Sequence, residues 1–270
     1  MLQVARLAPK LLGDSAALVA DFLKSQQAGG AFVDRSCAPD LYYTVFGLES
    51  LRALSLELPV ESAPEYLQSF PCDGLDLVHL SSLIRCWANV ARTLPPEFVT
   101  AAQARLAQFE CRNIYESFLL LGALQDLRLE PPRELLRAVE TLRAADGAYA
   151  NHRGAARGLT SATAAAIGIL RQFGERPSHD LGHWLLERRH ASGGFFASPD
   201  APIPDLLSTA TALHALASLQ VPLDSVREPT LDFVDSLWTN RGGFFGSWAD
   251  DVLDCEYTYY GLLALGHLSL

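Results

Sequence analysis

The stretch GGFFGSWADDVLDCEYTYYGLLAL, from Gly242 to Leu265, gathers most of the groups in this chain that could do chemistry. Asp254 and Glu256 stand two residues apart, Cys255 lies between them, and Tyr257, Tyr259 and Tyr260 follow. A carboxyl group buried among aromatic rings keeps its proton near neutral pH and can act as an acid, whereas one in water is ionised and acts as a cap or ligand. Asp250 and Asp251, just upstream, read as part of a solvated loop. His79, three residues after Asp76, joins Asp254 and Glu256 as a residue type that binds zinc. A satisfied core role is the better reading of His79, as it is of His214, and no metal is expected.

The elements that must position these groups form a repeat. Four segments align without gaps: DLYYTVFGLESL from Asp40, NIYESFLLLGAL from Asn113, DLLSTATALHAL from Asp205 and DCEYTYYGLLAL from Asp254. Each opens with Asp or Asn, carries Ser or Thr at +4, and has Leu at +8 and +11. LTSATAAAIGIL from Leu159 keeps the hydroxyl as Thr163, and DLVHLSSLIRCW from Asp76 is a weaker sixth copy. This spacing puts the +4, +8 and +11 residues on one helical face, so each segment reads as a buried helix whose first residue is its N-cap.

Amphipathic stretches of helical period lie between them, at 15–27, 60–70, 96–109, 132–144, 180–189 and 223–238. Four buried helices follow a glycine turn with an aromatic residue: GGAF at Gly29, DGAY at Asp146, and GGFF at Gly193 and Gly242. The buried segments are rich in Ala and Leu and the amphipathic stretches in Arg, Glu and Gln, which is what two concentric layers require. With no polar capping repeat at either end, the hairpins must close on themselves. The expected fold is therefore all-α: one domain over residues 1–270, an α/α toroid of six inner and six outer helices.

The repeat also sorts the acids. Asp254 shares its place with Asp40, Asn113 and Asp205, so it reads first as a cap. Glu256 is not required by the repeat, because the +2 residues elsewhere are Tyr42, Val78, Tyr115, Ser161 and Leu207. It is either functional or an exposed first-turn Glu favoured by the helix dipole. Glu116 reads as a solvated or capping residue. In a ring, the aromatic residues early in the inner helices line the centre: Tyr42, Tyr43, Phe46, Tyr115, Phe118, Tyr257, Tyr259 and Tyr260.

With 49% hydrophobic residues, the chain can bury a large core. A formal charge of −10, with no basic stripe, excludes a nucleic-acid backbone as partner. Five scattered cysteines without a CxxC pair suggest neither a disulfide framework nor a zinc ribbon, and point to a reducing, cytoplasmic location. No apolar run approaches the roughly 18 residues of a membrane span, and Pro9, Lys10 and Asp14 interrupt any signal-peptide core.

The glycine-aromatic turn followed by D-x-x-x-T/S-x-x-x-L-x-x-L resembles the repeat of protein prenyltransferase β subunits and class II terpene cyclases. Hairpins 1, 4, 5 and 6 carry the resemblance well, hairpin 3 moderately and hairpin 2 poorly. It implies a central cavity, with the chemistry near the N-terminal ends of the inner helices and an isoprenoid chain lying among aromatic side chains. Class II cyclases open the corresponding helix with D-x-D-D-T, whose middle Asp protonates an alkene. The match here is Asp254-Cys255-Glu256-Tyr257-Thr258, which puts Glu256 at the proton-donor place with Asp254 as its support. The aromatic residues would then cradle the carbocation with their negative faces.

Protein prenyltransferases open that helix with D-x-C-Y, whose Asp and Cys bind zinc together with a His at +3 of the next inner helix. Here Glu256 stands at the Cys place, Cys255 one position earlier and Tyr43 at the His place. Their diphosphate-holding Arg and Lys are replaced by Trp248 and Asp251, and an acid there repels a diphosphate. The resemblance first implies a protonation-initiated terpene or meroterpenoid cyclase with no cofactor, Trp248 joining the substrate-binding set. Its second implication is a β-subunit-like protein that transfers a prenyl group, with a rearranged zinc site and a helical partner subunit. The third is a non-catalytic lipid-binding or scaffold ring. An isoprenoid ligand further implies peripheral contact with a membrane during uptake.

Overall fold

The computed structural model describes residues 1–270 and contains fourteen α-helices. Six form an inner ring: α4 (Leu41–Ala53), α6 (Leu77–Val90), α8 (Ile114–Asp126), α10 (Thr160–Gln172), α12 (Leu206–Ser218) and α14 (Cys255–Leu268). Each packs on the next, and α14 packs on α4, so the ring is closed. Outside it run α3 (Ala16–Ser25), α5 (Ala63–Gln68), α7 (Pro96–Leu106), α9 (Arg133–Glu140), α11 (Asp180–Leu186) and α13 (Asp224–Ser236). The all-α toroid expected from the repeat is what forms.

The repeat residues explain why each inner helix starts where it does. Asp40, Asp76, Asn113, Asp205 and Asp254 are all N-caps, each accepting a hydrogen bond from the backbone N–H three residues on. The +4 hydroxyls have a second duty that spacing alone does not reveal. Thr44, Thr163 and Thr209 accept the backbone N–H of Phe32, Tyr149 and Phe195 at 2.9, 3.1 and 2.9 Å. These are the aromatic residues of the preceding glycine turns, and all three rings are fully buried. In these three hairpins one side chain thus ties the turn to the inner helix that follows.

The glycines of these turns also join neighbouring hairpins. Gly242 has a φ of +88° and lies so close to the Leu18 carbonyl of α3 that a Cβ would clash with it, which closes hairpin 6 onto hairpin 1. Gly193, at +96°, makes the same approach to the Pro229 carbonyl of α13.

Two departures from the sequence reading concern the first hairpin. The GGAF turn is more than a turn: Gln27–Ala28, Ala31–Val33 and Pro39–Asp40 pair as a small antiparallel sheet. Two short helices precede the ring, α1 (Leu2–Ala5) and α2 (Pro9–Leu12), giving fourteen helices instead of twelve. Helix α1 lies across the C-terminal ends of α14 and α4, where Gly266 leaves room for the Val4 carbonyl. It covers part of the end of the ring opposite Glu256.

Candidate active site

Ring closure brings the start of α14 beside the start of α4. The Tyr42 hydroxyl donates to Glu256 Oε1 at 2.6 Å, so Glu256 points inward and is not the exposed first-turn residue of the alternative reading. Burial pushes the Glu256 carboxyl up from 4.5 to about 7, opposed by the Tyr42 hydrogen bond, and Asp254 nearby adds to the rise. Burial first, and then the charge of Glu256, drives the Tyr42 phenol far above the ordinary tyrosine range.

A cation close to Glu256 would reverse this, and the one nearby is committed elsewhere. Arg35, in the loop between the small sheet's second and third strands, donates from Nε to Asp254 Oδ2 at 2.7 Å and from Nη2 to Asp250 Oδ2 at 2.8 Å. One guanidinium therefore faces two carboxylates before Glu256 is counted. Asp254 is fully committed: Oδ1 caps the Tyr257 amide at 2.8 Å and Oδ2 holds Arg35. Burial raises the Asp254 carboxyl, and these partners pull it back down. The expected cap role of Asp254 holds, and the ion pair joins it to Glu256's surroundings. Asp250, by contrast, is not a solvated loop residue; only Asp251 is exposed.

The predicted aromatic set divides. Tyr42 meets Tyr43 and Phe46 edge-on, with ring centroids at 5.6 and 5.0 Å, and Phe46 lies 5.7 Å from Tyr260. Tyr115 and Phe118, on α8, leave 42% and 38% of their surface exposed although they belong to an inner helix. The wall beside Phe118 is small: its ring faces Gly168 of α10. Tyr257 lies under Arg35, 5.3 Å from ring centroid to guanidinium, and packs on Gly246. Tyr259 points the other way, its hydroxyl donating to Glu49 at 3.3 Å. Trp248 is not with this group: its indole N–H donates to Ser236 at the end of α13, on the outer layer.

The remaining candidates fall away from Glu256. His79 is a correction: it is no core histidine but is half-exposed, its ring 2.8 Å from its own cap, Asp76. His214 is partly buried and lies 3.0 Å from His267 near the opposite end of the ring, both pushed well below the ordinary imidazole range by burial. Glu116 caps its own helix by accepting the Arg112 N–H at 2.6 Å. The zinc implied by the prenyltransferase resemblance does not fit these residues. Asp254 has no free oxygen, Cys255 is buried with its thiol driven far up by desolvation, and no three His, Cys, Asp or Glu side chains converge.

Arg35 is the residue that sequence reading missed. It lies in an aperiodic loop, 219 positions from its partner Asp254.

The prenyltransferase alpha-alpha toroid domain family matches residues 7–66 and 163–269, more than half of the chain, and the chain belongs to that family. The unmatched middle contains hairpins 2 and 3, where the repeat is weakest. No curated protein sequence matches the chain. Among solved structures, the type II terpene cyclase MstE from Scytonema is similar over 100% of this chain and 98% of its own, at 13% identity and a TM-score of 0.63. A glycosidase in complex with glucose is similar over 98% and 96%, at 14% identity and a TM-score of 0.60. The Candida albicans protein geranylgeranyltransferase-I complexed with GGPP is similar over 99% and 81%, at 15% identity and a TM-score of 0.52. At such identities these likenesses establish the toroid alone, since one fold hosts unrelated chemistries.

Proposed function

We propose that this protein is an isoprenoid-processing enzyme that protonates an alkene of a polyprenyl chain and so initiates its cyclisation. The observation that carries the reading is Glu256: an inward carboxyl with a tyrosine donor, no cation of its own and a pKa near 7. Below neutral pH its protonated, acidic form predominates. Tyr42 donates to one carboxyl oxygen, which leaves the other to carry the proton towards the ligand. The O–H electron pair stays with Glu256 as the proton adds to the less substituted CH carbon of the terminal trisubstituted alkene. The tertiary cation that results is then attacked by the electron pair of the next double bond. Glu256, now a carboxylate, is stabilised by the same Tyr42 hydroxyl. The rings of Tyr42, Phe46, Tyr115 and Tyr260 offer negative faces to the cation.

The reading suits an uncharged reacting end better than a diphosphate. Asp250, Asp254 and Glu256 lie together, and the one guanidinium among them, Arg35, is ion-paired to Asp250 and Asp254. The substrate class is tested by mass spectrometry of lipids that co-purify with the protein, followed by incubation with farnesyl- and geranylgeranyl-bearing compounds. Glu256→Gln should bind these compounds and fail to cyclise them. Full turnover by that variant would remove Glu256 as the acid. Binding without turnover in the wild type would make the ring a lipid carrier.

A further inference from the structure

The outer helix α13 carries an unusual charge pattern. Asp224, Glu228, Asp232 and Asp235 are all exposed at spacings of four, four and three, so they form one continuous stripe. Like charges at these spacings destabilise a helix. Asp232 and Asp235 lie in its last two turns, where the helix dipole disfavours acids, and no basic residue occupies the last turn. Compensation within the chain is slight: Arg227 reaches Glu228 at 3.8 Å, and neither Asp232 nor Asp235 makes an ion pair.

The stripe borders a cleft. Ala191, Ser192, Glu228, Pro229, Asp232, Phe233, Ser236 and Trp248 surround about 520 Å³ of open space. Trp248 forms its aromatic wall and keeps 46% of its surface exposed. Its indole N–H is fixed by Ser236 at 2.9 Å, and Phe233 and His190 meet it at 74° and 71°, so neither lies parallel over its face. A rigid indole face beside unneutralised carboxylates is the arrangement that holds an alkylammonium or guanidinium group, through cation–π attraction and charge-assisted hydrogen bonds.

We propose that the α13 stripe and the Trp248 cleft dock a basic segment of a partner protein, with one Lys or Arg side chain seated on Trp248 and further cations along Asp232, Glu228 and Asp224. The internal cost of the stripe then has a physical purpose: the partner supplies the missing counter-charges. A rigid aromatic anchor at one end sets the register of an otherwise diffuse electrostatic contact.

The test uses the full chain and a fluorescently labelled octa-arginine peptide, followed by anisotropy at low and at physiological salt. Glu228→Gln/Asp232→Asn/Asp235→Asn should weaken binding by about tenfold or more, and Trp248→Ala by severalfold at salt levels where plain charge attraction is screened. The triple variant should melt no lower than the wild type, because it relieves like-charge repulsion. The control Glu57→Gln/Glu61→Gln/Glu65→Gln removes the same charge at α5 and the loop before it, two outer helices round the ring from α13, and should leave binding within about twofold. Equal losses in both triple variants, or no binding to the wild type, would overturn the proposal. So would binding of an uncharged oligosaccharide such as cellotetraose that requires Trp248 and ignores the acids.

Discussion

Two carboxyl groups lie towards opposite ends of the inner ring, and the protein treats them oppositely. Glu49, two turns along α4 from Tyr42, is buried within a polar network: it accepts from Arg85 Nη1 at 3.5 Å, Asn89 Nδ2 at 3.3 Å and Tyr259 at 3.3 Å. Arg85 is held in turn by Asp126 at the end of α8. Glu256, at the other end, has a tyrosine for a partner and no cation. A carboxyl given a guanidinium serves as an ion-paired strut between α4, α6 and α8. Without one, burial raises its pKa. Under the proposed function, this difference would separate a structural end of the toroid from a chemical one.

The largest expected effect breaks this contrast at the chemical end. Glu256→Gln keeps the shape and the Tyr42 contact but removes the transferable proton, so turnover of a polyprenyl substrate should fall by about 10²–10⁴-fold. Circular dichroism and thermal melting should show an intact fold. A variant that folds and keeps its rate would reduce Glu256 to another buried carboxyl.

At the structural end, Arg85→Met strips Glu49 and Asp126 of their cation while keeping an apolar stem of similar length. Removing one partner of a buried pair typically costs about 3–5 kcal/mol. A partly wet Arg85 puts the expected loss near 3 kcal/mol in urea unfolding. Adding Glu49→Gln should restore part of it. Loss of activity from Arg85→Met without loss of stability would contradict the division of roles.

How much of this was legible follows from which signals are local. Caps, +4 hydroxyls and Leu spacing act within one helix, so Asp40, Asn113, Asp205 and Asp254 announced the inner layer, and the lack of a polar capping repeat at either end announced closure. Glu256 stood out because it broke that pattern. Its surroundings were hidden for a physical reason: Tyr42 reaches Glu256, and Arg35 reaches the neighbouring Asp254, by ring closure, between residues more than 210 apart. Trp248 matched a family position by alignment alone, and the loop that carries it turns outward to Ser236. His79 was assigned to the core because its helix is buried, although its side chain emerges at the rim beside Asp76.

The contrast can also be read from stability against pH. The folded-state pKa of Glu256 is raised from 4.5 to about 7, so its contribution is intact below 4.5 and is lost as pH rises through 7. Above that, the ionised carboxylate is a burden that Gln does not carry. Glu256→Gln should therefore gain roughly 2–3 kcal/mol on the wild type at pH 8.5 and little at pH 4.5, measured by denaturant unfolding. A constant difference across that range would place the titrating group elsewhere.

The finest test asks what Tyr42 does for the acid. Its hydrogen bond stabilises the charged form of Glu256 and so opposes the effect of burial. In Tyr42→Phe that opposition disappears, and the limb of the pH–rate profile that falls near pH 7 should move to higher pH. Below the limb the rate should drop by no more than about tenfold, since the proton remains and its aim suffers. The two changes run in opposite directions, which a merely destabilising substitution would not produce. An unmoved limb would mean that the group setting the rate is not the one Tyr42 holds, and the distinction between Glu256 and Glu49 would then rest on burial alone.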